Sequence, residues 1–247
     1  PIFERTGLDV VPVVQLAPGD GPPALEGALF HVDALKAYNK ALAATAAERP
    51  LTTPVEGPLA VHLDEAPWER YLSPRPVIPA ALGRGCYWRR CTFCPDHLHP
   101  KHHPCSPESL DDWLRAVAAR FPQGAMLHLT DSAIPPRHMR HISRVIEEEK
   151  LPLAWHGFAR VEPQLADPGF AKQLVRGGCA MLQLGVESGS PKMLEMMHKG
   201  ADLGLTRRVL TNLGQAGIRA HLYLLFGLPL ETDKEREETL RFVEQQR

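Results

Sequence analysis

The chain has 247 residues, 44% of them hydrophobic and 23% charged, with a formal net charge of −1. The length suits one large domain, or one domain with a smaller piece attached. A near-zero balance argues against a general nucleic-acid or anionic-membrane binder, which would carry a basic excess, and no apolar run approaches the length of a membrane span.

The N-terminus, PIFERTGLDVVPVV, has no basic segment followed by a long apolar stretch, so it is not read as a secretory leader. The expected compartment is the cytoplasm. There is no initiator Met, and the chain stops in mid-pattern at EETLRFVEQQR, which predicts a piece of a longer protein. Residues 1–70 form a proline-rich N-terminal segment or linker, in which LFHVDALKAYNKALAATAAERP predicts one helix over about 30–48.

Residues 71–247 have a different character. VIPAALG predicts a strand, and SPESLDDWLRAVAARF a helix capped by Ser106 with Pro107 at its first position. GAMLHLTD predicts a strand and PRHMRHISRVIEEEK a helix. LAWHGFARV predicts a strand, and PGFAKQLVRGG a helix ending on glycines. CAMLQLGVES predicts a strand, followed by a short helix in SPKMLEMMHKG and a longer one in LTRRVLTNLGQAG. IRAHLYLLFGLP predicts the fifth strand and DKEREETLRFVEQQ the last helix. Strands that read as apolar runs, alternating with helices, predict a parallel α/β sheet buried on both faces, as an open or partial (β/α) barrel. In such folds chemistry sits beyond the C-terminal strand ends. Those ends are Cys86 to Cys94, Thr130–Asp131–Ser132, Arg160 to Glu162, Glu187–Ser188–Gly189 and Gly227 to Glu231.

Four of the five cysteines lie within GRGCYWRRCTFCPDHLHPKHHPC, Gly83 to Cys105; an uneven, odd set fits metal binding in a reducing compartment better than a disulfide scaffold. Cys179 stands alone before an apolar run and reads as a small buried hydrophobe. Two readings of the cluster compete. Cys86, Cys91 and Cys94, spaced C-x4-C-x2-C, can ligate three irons of a [4Fe–4S] cube, leaving the fourth for a small ligand. Arg84, Arg89 and Arg90 nearby would favour the thiolates. Alternatively, Cys91 and Cys94 with His97, His99, His102, His103 or Cys105 form a zinc pattern, which would make a non-catalytic zinc-binding module. Two prolines and a lysine among those histidines predict an irregular solvated loop, and their role is left unassigned. Alternation leaves open whether His128 and His156 point into the barrel or into the core.

The chain resembles radical S-adenosylmethionine (SAM) enzymes, and more narrowly those associated with a cobalamin-binding domain. The resemblance rests on GCYWRRCTFC, with Phe93 before the last Cys, and on YLSPRPVIPAALGRGCYW, LHLTDSAIPP, LGVESGSPKMLEMMHKG and AGIRAHLYLLFGLPLET, each on its matching βα unit. The spacing departs from the family's usual C-x3-C-x2-C by one residue. The resemblance implies a radical SAM partial barrel, truncated here before a sixth βα unit. It implies that Cys86, Cys91 and Cys94 hold a [4Fe–4S] cluster and that SAM is reductively cleaved to a 5′-deoxyadenosyl radical for hydrogen abstraction.

It also implies SAM contacts for Phe93 near the adenine, Asp131 at the amino group, Arg160 at the carboxylate, Glu187 and Ser188 at the ribose or methionine part, and the backbone of Gly227. Catalytic residues beyond these are unassigned. An electron donor such as flavodoxin or ferredoxin is implied, with a small-molecule or peptide substrate favoured over RNA. Cobalamin-dependent methyl transfer is one reaction open to such a chain, although no cobalamin-binding D-x-H-x-x-G motif is present.

Overall fold

The computed structural model describes residues 57–64, 66–98 and 102–246. The helix expected over 30–48 lies outside them. Among these residues there are eight strands: β1 (Leu59–Ala60), β2 (Val77–Ala81), β3 (Gly83–Arg84), β4 (His103–Pro104), β5 (Ala125–Leu129), β6 (Leu153–Ala159), β7 (Cys179–Glu187) and β8 (Arg219–Leu224). Six helices accompany them: α1 (Pro107–Arg120), α2 (Pro136–Glu148), α3 (Pro168–Arg176), α4 (Pro191–Met196), α5 (Leu203–Ala216) and α6 (Asp233–Glu244).

The main sheet runs β1-β2-β5-β6-β7-β8, parallel from β2 to β8, with β1 antiparallel on the β2 edge. All five expected βα units form, and the α/β partial barrel is the observed architecture. Their boundaries follow local chemistry. Ser106 accepts from the Ser109 N–H at the start of α1, and Asp202 accepts from the Leu205 N–H at the start of α5. Asp167 accepts from the Gly169 N–H at α3. Thr232 and Glu235 form a reciprocal capping box on α6.

Burial corrects one expectation. The strands are not buried on both faces; β5 and β6 alternate buried and half-buried residues. Leu127, Leu129, Trp155, Leu182 and Leu184 face the helices and join Leu114, Ile142, Leu174 and Val209 in one core. The opposite set, including His128, His156, Phe158 and Tyr223, forms a concave inner face. There the rings touch across strands: His128 on His156 at 4.4 Å, and Phe158 on Tyr223 at 5.5 Å. Both histidines therefore point into the barrel.

Two short pairings were not visible in the sequence. β3 pairs antiparallel with β4, so the described end of the histidine-rich stretch, from His102, is anchored rather than irregular. Its Cys105 is buried and donates its backbone N–H to the Leu82 carbonyl at 2.7 Å. Residues 57–64 and 66–70, the described end of the proline-rich segment, contribute β1 and set Trp68 edge-on against Phe121 of the core at 5.6 Å. Cys179 is buried on the helix side, as expected of a small hydrophobe.

Candidate functional site

The loop after β3 carries Cys86, Cys91 and Cys94, all half-buried free thiols. A tight turn joins the last two, the Cys94 N–H donating to the Cys91 carbonyl at 3.3 Å. Burial pushes the Cys91 and Cys94 thiols up. The cations that pull Cys91 back down are Lys199 and Arg160, neither of them among the arginines adjacent in sequence.

Arg160, just beyond β6, is buried with every side-chain nitrogen engaged. Its Nε donates to Glu162 Oε1 at 3.1 Å, Nη2 to the Lys199 carbonyl at 2.7 Å, and Nη1 to Cys91 Sγ at 3.9 Å. Its guanidinium lies 3.9 Å from the centre of the Trp88 ring. Glu162 also accepts from the Tyr87 hydroxyl at 2.8 Å, and burial and this carboxylate hold the Tyr87 hydroxyl well above its ordinary range.

The loop is fastened to the end of α4. The last carbonyls of a helix have no intrahelical partner. Here four successive carbonyls accept from outside: Met196 from Thr92 Oγ1 (3.0 Å), Met197 from the Thr92 N–H (3.1 Å), His198 from Trp88 Nε1 (3.2 Å) and Lys199 from Arg160. Gly200 closes this rail at φ +70°, and a Cβ there would lie 2.2 Å from Trp88 Cζ2. Only glycine permits that approach.

Glu187 ends β7 in the left-handed region, at φ +67°. The turn aims its carboxylate back over Gly185, where Lys199 Nζ meets Oε1 at 2.7 Å; both side chains are buried. A Cβ on residue 185 would come within 2.5 Å of that oxygen and 2.8 Å of the ammonium. Phe93 packs against Met193, Leu194 and Met197, with Lys199 Nζ 5.8 Å from its ring centre. Cys91, Phe93, Arg160, Glu187 and Lys199 are thus brought together.

The other expected contacts are spent on the protein itself. Ser188 is fully buried, its hydroxyl 3.0 Å from that of Thr239 on α6 and accepting from the Ser190 N–H. Asp131 is buried and accepts from the Leu82 N–H at 2.9 Å. Gly227 is exposed at φ +77°, its N–H donating to Glu231 Oε2. Lys199 was missed by sequence reasoning, although the Lys-Gly pair closing LGVESGSPKMLEMMHKG marks both the charge and the close approach.

Burial raises the Asp131 carboxyl from 3.8 to about 6, against the opposing pull of the backbone N–H bonds. A raised carboxyl binds its proton more tightly folded than unfolded, so it contributes stability at low pH that is lost as pH rises from about 4 through about 6. Asp131→Asn cannot titrate. Its stability relative to wild type should therefore rise by roughly 2–3 kcal/mol between pH 4 and pH 7, read from urea unfolding at each pH. A flat difference would contradict the burial argument.

Three thiols on one loop suit a cube, which spreads its thiolates over different irons and does not need them to converge on a point. Among the described residues no three His, Cys, Asp or Glu side chains are grouped so as to hold a single ion. His99 lies outside the described residues.

A family model described as "Radical SAM superfamily" matches residues 81–243. An uncharacterized methyltransferase of Pyrococcus horikoshii is 26% identical over 199 residues, covering 79% of this chain and 43% of that protein. Among solved structures, the radical S-adenosylmethionine methyltransferase TsrM from Kitasatospora setae, with cobalamin and a [4Fe–4S] cluster bound, superposes with a TM-score of 0.57. It is 22% identical, over 68% of this chain and 34% of that one. The cobalamin-dependent S-adenosylmethionine radical enzyme OxsB superposes with a TM-score of 0.57 at 21% identity, over 66% of this chain and 26% of that one. At such identities the structural likeness is one of fold. The chain spans less than half the length of the curated relatives it matches.

Proposed function

The chain belongs to the radical SAM superfamily, and from that premise we propose that it is the SAM-cleaving core of a cobalamin-associated methyltransferase in which Cys86, Cys91 and Cys94 hold the cluster. When bound, a [4Fe–4S] cluster and SAM together supply a one-electron cleavage that generates a carbon-centred oxidant. The observation that carries the assignment is three free, half-buried thiols on the one loop after β3, with Nη1 of the buried Arg160 donating to Cys91 Sγ.

In this reading the chain's own residues do three things. Arg160 and Lys199 offset the negative charge of a thiolate-ligated cluster, and Nη1 of Arg160 donates to one ligand sulfur. Glu187, steered over Gly185, offers a carboxylate oxygen to hydroxyl or ammonium groups of SAM, and Lys199 remains near the SAM carboxylate. Phe93 and the exposed backbone at Gly227 border the nucleoside side. Asp131 and Ser188 take scaffold roles, because their polar atoms are already used by Leu82, Thr239 and Ser190. Arg160 moves from SAM to the cluster for the same reason.

Cobalamin, a flavodoxin or ferredoxin as electron donor, and a small-molecule or peptide substrate complete the proposal. The cobalamin-bound structural neighbours support cobalamin, and the Pyrococcus horikoshii relative supports methyl transfer. No helix among the described residues is long and apolar enough to cross a membrane.

Anaerobic reconstitution with iron and sulfide, followed by reduction in the presence of SAM, tests the assignment. A brown protein that releases 5′-deoxyadenosine or transfers the SAM methyl group supports it. A colourless protein holding one tight zinc and leaving SAM intact would favour the binding-module reading instead.

A further inference from the structure

The concave face of the sheet holds a second group of side chains, below the cluster loop and unused by it. Cα partners run from His128 to His156, from His156 to Met181, and from Met181 to Arg219, so these residues share one row across four strands. At a rise of about 3.3 Å per residue, this row lies about 13 Å along β6 from Arg160. Phe158 sits between, in ring contact with Tyr223 at the level of Arg160.

Three atoms on this face are buried without a hydrogen-bond partner: His128 Nε2, His156 Nδ1 and Gln183 Oε1. Native structures leave few such atoms, and three on one face offer polar partners to a bound molecule. The charge of the face gives the sign of that partner. Glu187 is the only acidic residue in the five parallel strands, and Lys199 neutralises it. Arg219 is exposed and has no carboxylate partner among the described residues. His156 is held below its ordinary range by burial, then by His128, then by Arg219.

We infer that this row is an anion-accepting subsite, in which Arg219 with His128 and His156 holds a carboxylate or phosphate of the substrate while Phe158 and Tyr223 border its less polar body. Arg219 supplies the charge and the imidazoles supply ring N–H donors. Gln183 Oε1, an acceptor, takes an N–H or O–H of the same molecule. The substrate is then an elongated acid whose anionic end lies about 13 Å below the level of Arg160. As the destination of the substrate, this inference rests on the radical SAM reading; as an anion site, it does not.

The test uses the full chain labelled with ¹³C-histidine, with inorganic phosphate and hexanoate as separate probes. His128→Phe and His156→Phe assign the two ring signals, and His62 serves as a surface control. The expected result is a saturable shift of the His128 and His156 signals with at least one probe, and a binding constant weakened about tenfold or more in Arg219→Gln. A response to phosphate alone identifies a phosphate ester, and a response to hexanoate alone identifies a carboxylic acid. Signals that do not move, or that move equally in Arg219→Gln, overturn the inference. The measurement requires neither cluster nor SAM. SAM cleavage without anion binding therefore sinks this inference alone, and anion binding without SAM cleavage sinks the enzymatic reading alone.

Discussion

Cys91→Ala is expected to abolish cluster assembly: iron and sulfide bound after anaerobic reconstitution fall to background, with loss of the reduced-state paramagnetic signal and of all SAM cleavage. A cube held by three thiolates cannot lose one to a methyl group and keep its geometry. Cys91 is also the thiol that Arg160 and Lys199 address. Cys86→Ala and Cys94→Ala should behave alike. Cys105→Ala is the control, and its iron content should match wild type. Cys105 is buried behind β3, its thiol pushed up to about 11 by burial and the Asp131 carboxylate, a poor environment for a thiolate ligand. Equal iron loss in the Cys105 variant would show that the ligand set has been misassigned.

Lys199→Met is expected to cost roughly 3–5 kcal/mol of folding stability, because it strands the Glu187 carboxylate in a buried site. Glu187→Leu should cost a comparable amount by stranding the ammonium. The double variant removes both charges and should recover most of the loss, since a buried ion pair replaced by apolar groups is often near neutral. Urea unfolding of the four proteins gives the coupling directly. SAM binding by equilibrium dialysis should be lost in all three variants, including the double one, which separates binding from folding. A double variant that binds SAM normally would remove Glu187 and Lys199 from the site.

Most of the fold was legible because each βα boundary carries its own signal. Ser106, Asp167 and Asp202 cap helices with local side-chain bonds, and Gly217 ends α5 at φ +84°. The strand-end rule brought Arg160, Glu187 and the cysteines to one face. What they do there was less legible, because it depends on partners remote in sequence. Arg160 is committed by Lys199 and Cys91, 39 and 69 residues away. Lys199 follows no strand end; it comes from the turn between α4 and α5 and meets Glu187 only because that residue adopts a left-handed backbone. β1 and the β3–β4 pair are two residues each, too short for any periodicity to register.

The rail of carbonyls from Met196 to Lys199 bears on how a cluster would enter. The bonds to Thr92 and Trp88 span 104 and 110 residues, so the loop can order only after β7 and α4 have docked. Once docked, it is held by the bonds of Thr92 and Trp88 to the α4 end. Where those bonds order the loop ahead of iron, the conformational entropy of ordering is already spent, and a cluster would be captured by a prearranged loop rather than folded around. The Thr92 amide should accordingly exchange slowly with solvent deuterium in the metal-free protein, and little more slowly after reconstitution.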